Sequence, residues 1–186
     1  MTARQGSAPD GAGTALAPTA VDEDTVWRAY LGMTREMFTA LERGLGAEAG
    51  VSVADLELME PLASAGERGL RAKDLASAAE WQDSRVSHQL RRMERRGLVV
   101  RTRDRQDARG TMVRLTSDGL RSARAATATR RRLVAELLVG AMRPEQVVAF
   151  VELAGQTRQR LSVHAEQQAG TGTEPPVVTA SEVRRG

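Results

Sequence analysis

The chain of 186 residues contains no cysteine. Disulfide frameworks, thiolate zinc sites and cysteine-based peroxide sensing are thereby excluded. Histidine occurs twice, at His88 and His164, with no carboxylate-rich motif beside either, so no metal site is expected. No apolar run approaches the roughly 18 residues needed to span a bilayer, and the N-terminus carries no signal-peptide core. The expectation is a soluble cytoplasmic protein with no membrane contact. There is no Gly-rich phosphate loop and no Ser/His/Asp grouping in a recognisable context, so neither an enzyme nor a cofactor is expected. Paired carboxylates such as Glu57 and Glu60 read as surface charge. Lysine is all but missing: Lys73 is alone among 27 basic residues, a bias that a GC-rich genome explains without selection for arginine contacts.

What is present is a globular composition, 41% hydrophobic and 27% charged, with a net charge of only +3. The distribution of that charge is informative. Between Glu67 and Thr116 there are 13 Lys and Arg against 7 Asp and Glu, a net of +6, and the rest of the chain carries −3. Positive charge gathered in one segment is the footprint a polyanion would select.

At the centre of that segment lies Asp83 to Gly97. Val86, Leu90 and Met93 recur at i, i+4 and i+7 and form one stripe of an amphipathic helix. The opposite side carries Ser84, His88, Arg91 and Arg95, flanked by Arg85, Ser87 and Arg92. Asp83 sits where an N-cap belongs and Gly97 where a helix takes its C′ glycine. Any surface helix in an arginine-rich protein could look like this; equally, the pattern is that of a DNA recognition helix. A short helix from Lys73 to about Glu80, with Leu75 and Ala79 inward, precedes it across a tight turn, completing a helix-turn-helix. After Gly97 the period changes to two. Leu98 to Arg103 and Thr111 to Leu115 read as a β-hairpin with Arg105 and Arg109 at its tip, either an ordinary solvated hairpin or a wing laid along a minor groove.

Flanking elements complete the plan. Residues 1–21 and 167–186 read as disordered tails, rich in Gly, Ala, Thr and Pro. Within 22–66, an acidic start at Asp22 to Asp24 opens a helix through Trp27, Tyr30, Leu31, Thr34, Met37, Phe38, Leu41 and Leu45. It reads as bundle core, with a ligand cavity as the sharper alternative. A second helix over Val53 to Ala65 has Ser52 as its cap and Pro61 as a kink or early end. Leu70-Arg71 is long enough for a one-bridge strand only. Residues 117–166 hold two more helices. The first runs to about Met142 with Leu120, Ala123, Thr127, Leu133 or Val134, Leu137 and Leu138 on its apolar side; the second opens at Pro144 and uses Val147, Phe150, Val151, Ala154 and Leu161. Both are long for their apolar content and are expected to pack against a second copy of the chain. The fold class is thus mainly α with a small antiparallel β-hairpin: a winged helix-turn-helix domain (67–116) between N- and C-terminal dimerisation helices.

This order of elements resembles the MarR family of transcriptional regulators. The residues that carry the resemblance are Ser84-Arg85-Val86-Ser87, Leu90, Met93-Glu94, Gly97-Leu98-Val99, Asp107 and Arg109, Val113, Leu115-Thr116 and Gly119. It implies a homodimer on an inverted repeat of double-stranded DNA, with the helix at 83–97 in a major groove and the wing at 104–110 in the minor groove. Many members are released by a small aromatic or other anionic effector. Carried over by position, Ser84, Arg85, Ser87 and His88 fall where the family reads bases or nearby phosphates, Arg109 on the wing arginine, and Asp107 on the carboxylate that orients the wing's basic residues. Ala108 departs from the commoner arginine there, and Arg105 stands close enough to compensate. Arg91, Arg92 and Arg95 are better placed for phosphates. By analogy an effector pocket would involve Trp27, Tyr30 and Met37. The competing readings are a non-specific architectural DNA-binding protein and a dimeric protein-interaction module.

Overall fold

The computed structural model describes residues 21–103 and 110–170, and the side chains as far as residue 168. The chain divides into two compact units, residues 1–130 and 131–186.

Helix α1 (Glu23–Ala49) begins because the Asp22 carboxylate accepts the Thr25 amide at 2.6 Å, and it ends at Gly50, which takes the left-handed conformation at φ 65°. The large apolar residues fall on it as their spacing predicts, but they are not core. Leu45 alone is buried, while Val26, Trp27, Tyr30, Met33 and Phe38 are exposed. Helix α2 (Val53–Ala65) is the opposite case. A reciprocal capping box between Ser52 and Asp55 starts it, and Leu56, Leu58, Met59 and Leu62 are buried. Pro61 does not end or shorten this helix. An interior proline costs about 3 kcal/mol, but burying a Leu or Met side chain returns roughly 1.5–3 kcal/mol, and three such residues flank Pro61.

A 3₁₀ turn (Gly66–Arg68) leads to Gly69 at φ 66°, where a Cβ would run into the carbonyl of Val113. That close approach lets β1 (Leu70–Arg71) pair antiparallel with β3 (Thr111–Leu115) at two positions, Leu70 with Val113 and Arg71 with Met112. The single bridge expected from sequence is therefore a short edge strand. With β2 (Val99–Arg103) on the other side of β3, the sheet has the order β1-β3-β2.

Helix α3 (Ala72–Ala78) is shorter than its sequence pattern suggests; Ala76 joins Leu75 in the core, and Ala79 packs against it half-buried. It closes with the Trp81 amide on the Ala76 carbonyl at 2.9 Å and Glu80 at φ 54°, a left-handed turn made without glycine. Helix α4 (Asp83–Arg95) follows. Gln82, not Asp83, is its N-cap, and no side chain caps it; Asp83 is the first helical residue, where its charge favours the positive end of the dipole. At the far end the Leu98 and Gly97 amides bond back to Met93 and Glu94, with Gly97 at φ 71°.

Helix α5 (Ser117–Leu137) is capped by Thr116, whose hydroxyl accepts the Gly119 amide at 2.9 Å and donates to the Gly97 carbonyl at 2.6 Å. Its inward face is made of small residues: Gly119, Ala123, Ala126 and Thr129 are buried, whereas Leu120 and Thr127 are half-buried and Leu137 is exposed. A Cβ at Gly119 would run into the Leu98 carbonyl, so the helix packs too closely here for a large side chain, and of the residues expected on this side Ala123 is the fully buried one. The helix stops at Leu137, five residues before the expected Met142, and a 3₁₀ turn (Val139–Ala141) intervenes. Gly140 is a poor helix former and Pro144 disfavours helical backbone at the residue before it. Helix α6 (Pro144–Gly170) continues past Glu166. Of its apolar residues as far as residue 168, only Val147 and Phe150 are half-buried; Val148, Val151, Leu153, Leu161 and Val163 are exposed.

Candidate nucleic-acid interface

Helix α4 is divided by burial as its periodicity requires. Val86, Leu90 and Met93 are at most 1% exposed and fix the helix on α2, α3 and the sheet. Ser84, Arg85, His88, Arg91, Arg92 and Arg95 are all exposed, and Ser87 is half-buried. Four guanidinium groups and three short polar side chains therefore lie on and beside one outward face. Arg91 is steadied by a bond from its Nε to the Ser87 carbonyl at 3.2 Å. The guanidinium of Arg85 lies over the Trp81 ring, 3.6 Å from its centroid.

The fourth buried position of this helix, Gln89, belongs to a polar network that sequence reading missed. Asp55 is fully buried and receives Gln89 Nε2 and Arg96 Nη1, each at 2.7 Å, while Arg96 also donates to the Gly50 carbonyl. Burial acts to raise the Asp55 carboxyl, but the Ser52 amide and hydroxyl and the Arg96 guanidinium outweigh it and hold the pKa below the usual carboxylate value. The ends of α1, α2 and α4 meet at this one carboxylate. The only signal in the sequence was the spacing of Ser52 and Asp55, which marks a capping box; partners 34 and 41 residues away leave no local pattern.

On the hairpin, Arg103 is exposed and Arg101 half-buried, with Nη1 3.8 Å from the Glu94 carboxylate. Arg105, Asp107 and Arg109 lie outside the described residues. Between the starts of α3 and α4 and the base of the hairpin is a cavity of about 350 Å³ whose lining includes Arg71, Lys73, Asp83, Ser87 and Thr111. The lone lysine thus stands beside the outward face of α4, a placement that its count in the sequence could not reveal. Trp27 and Tyr30 stack with centroids 6.0 Å apart, more than half exposed, and Met37 is half-buried further along α1. Among the described residues, no group of three or more His, Asp or Glu could hold a metal ion, and no helix is long and apolar enough to cross a membrane.

A sequence profile of the MarR family matches residues 57–111, from the second turn of α2 to the start of β3. The crystal structure of AbsC, a MarR family transcriptional regulator from Streptomyces coelicolor, is 30% identical; the match covers 75% of this chain and 94% of that one, with a TM-score of 0.68. The chain belongs to the MarR family. A second MarR-family regulator from the same organism, Sco3205, solved in complex with DNA, matches at 29% identity over 75% of this chain and 87% of that one, TM-score 0.69. PcaV from Streptomyces coelicolor, solved with its natural ligand, shares the MarR fold at 20% identity over 78% of this chain and 97% of that one, TM-score 0.60. No curated protein sequence matches the chain.

Proposed function

We propose that this MarR-family chain is a sequence-specific double-stranded DNA-binding regulator of transcription that acts as a homodimer on an inverted repeat. The observation that carries the reading is the outward face of α4, where Ser84, Arg85, His88, Arg91, Arg92 and Arg95 are exposed above a fully packed apolar underside. Such a face can enter a major groove without any part of the core rearranging. Ser84, Arg85, Ser87 and His88, near the N-terminus of the helix, read base edges; Arg91, Arg92 and Arg95 contact phosphates, which position the helix without distinguishing sequence. Arg105 and Arg109, oriented by Asp107, enter the minor groove from the wing. The dimer is supported by α1 and α6, each of which exposes a row of large apolar side chains that an isolated chain would leave in water. DNA complexes of relatives such as Sco3205 are consistent with this use of the fold. A small aromatic or anionic effector releases the DNA from a site that includes Trp27, Tyr30 and Met37, and the protein works in the cytoplasm, on the nucleoid when bound, without enzymatic turnover.

The test is selection of bound duplexes from a randomised library by the full-length protein. Enrichment of an inverted repeat, bound at 50 mM salt against excess competitor DNA, is the expected result. Recovery of no common sequence, with binding abolished by competitor, would instead identify an architectural protein.

A further inference from the structure

Trp81 stands in the turn between α3 and α4 and takes part in three separate interactions. Its amide is bonded to Ala76 at 2.9 Å, its indole Nε1 donates to Glu57 Oε2 at 2.9 Å, and its ring face carries the Arg85 guanidinium. Glu57 projects from α2 between the buried Leu56 and Leu58, which anchor its backbone to the core. The plane of the indole is therefore set from both ends, by the left-handed turn at Glu80 and by a carboxylate on another helix. A negative charge on the N–H edge also enriches the ring in electrons, which strengthens its attraction for a cation on its face.

We propose that Trp81, held by Glu57, is a positioning residue that sets the base specificity of Arg85. A guanidinium stacked on a ring uses its face for the stack and keeps its N–H edge free. That edge is the part that pairs in a bidentate manner with a guanine in the major groove. Arg85 thus meets the groove with its plane already chosen, and neither Trp81 nor Glu57 needs to touch DNA. The assignment rests on the proposed function, since it concerns how well one base pair is distinguished.

The experiment uses the full-length protein and duplexes selected by the native chain from a randomised library. Each base pair of one half-site is then replaced in turn, and binding is compared for native, Arg85→Ala, Trp81→Leu, Trp81→Phe and the Arg85→Ala/Trp81→Leu double variant, with thermal melting confirming folded protein. Arg85→Ala should lose roughly tenfold discrimination at one base pair. Trp81→Leu should lose about three- to fivefold at that same pair, with an unchanged salt slope, and Trp81→Phe, which keeps a ring face but loses the bond to Glu57, should recover only part of it. The double variant should be no worse than Arg85→Ala alone, because the two residues act as one unit. Uniform weakening across all duplexes by Trp81→Leu, or losses at different base pairs that multiply in the double variant, would overturn the inference while leaving DNA recognition intact. If the native chain enriches no sequence, the inference falls together with the proposed function.

Discussion

Helices α4 and α6 solve opposite problems. In α4, 13 residues long, Val86, Gln89, Leu90 and Met93 are buried; a Schellman turn closes the helix, and Gln89 ties it to a buried carboxylate. In α6, 27 residues long, no side chain as far as residue 168 is fully buried, although Val148, Val151, Leu153 and Leu161 are as apolar as anything in the core. The first helix is complete within its own chain and spends its outer face on arginine. The second has its apolar side uncovered and is finished only when something else covers it. Within one sequence, apolar periodicity therefore marks two things, an internal core and an unmet surface, and only burial tells them apart.

The comparison can be broken most forcefully in α4. Leu90→Ala should destabilise the protein by about 2–5 kcal/mol, measured by urea denaturation, with DNA binding lost in proportion to the unfolded fraction. An unchanged midpoint would mean that α4 is not anchored as described. Next in size is Asp55→Ala. Breaking a buried pair costs on the order of 3 kcal/mol or more, and the partial exposure of Arg96 lowers the expected loss to about 2 kcal/mol. Because the folded carboxyl has the lower pKa, its contribution is complete above the unfolded value near pH 4 and fades as pH falls through the folded value. The slope of stability with pH in that acid range should flatten in Asp55→Asn; a slope identical to the native one would place the titration elsewhere.

On the α6 side, Leu161→Asp should leave the melting of residues 21–130 nearly unaltered but weaken self-association about tenfold or more, roughly 1.4 kcal/mol, as read by sedimentation across a concentration series. A monomeric native protein under the same conditions would remove the proposed role of that surface. The smallest effect is expected for Arg92→Ala, an exposed change that should cost less than about 0.5 kcal/mol of stability and reduce the dependence of DNA binding on log salt by about 0.9 of a unit. Loss of sequence preference in that variant would move Arg92 from phosphate to base.

Much of the frame was legible because it is local. The i, i+4, i+7 spacing of Val86, Leu90 and Met93 located the buried stripe of α4, Ser52 located the start of α2, and the change of period after Gly97 located β2 and β3. The failures share a cause as well. On α5 the periodicity marked Ala123, which is buried, but also Leu120, Thr127 and Leu137, which are half-buried or exposed, because contact with the Leu98 carbonyl admits only a glycine at 119 and the other buried positions go to Ala126 and Thr129. β1 depends on the glycine turn before it and on a partner strand some 40 residues on. Of the site, the exposure of Arg85, Arg91, Arg92 and Arg95 followed from the helical wheel. The roles of Trp81 and Glu57 did not, because they meet only once α2 has packed against the turn.

Arg96 stands 46 residues beyond Gly50 in the chain and a single hydrogen bond away in space. Through that guanidinium the last turn of α1, the first turn of α2 and the end of α4 become one mechanical joint. The tilt of α4 is therefore not a property of α4 alone. The place of the helix that carries Arg85 is shared, through one side chain, with the junction of α1 and α2.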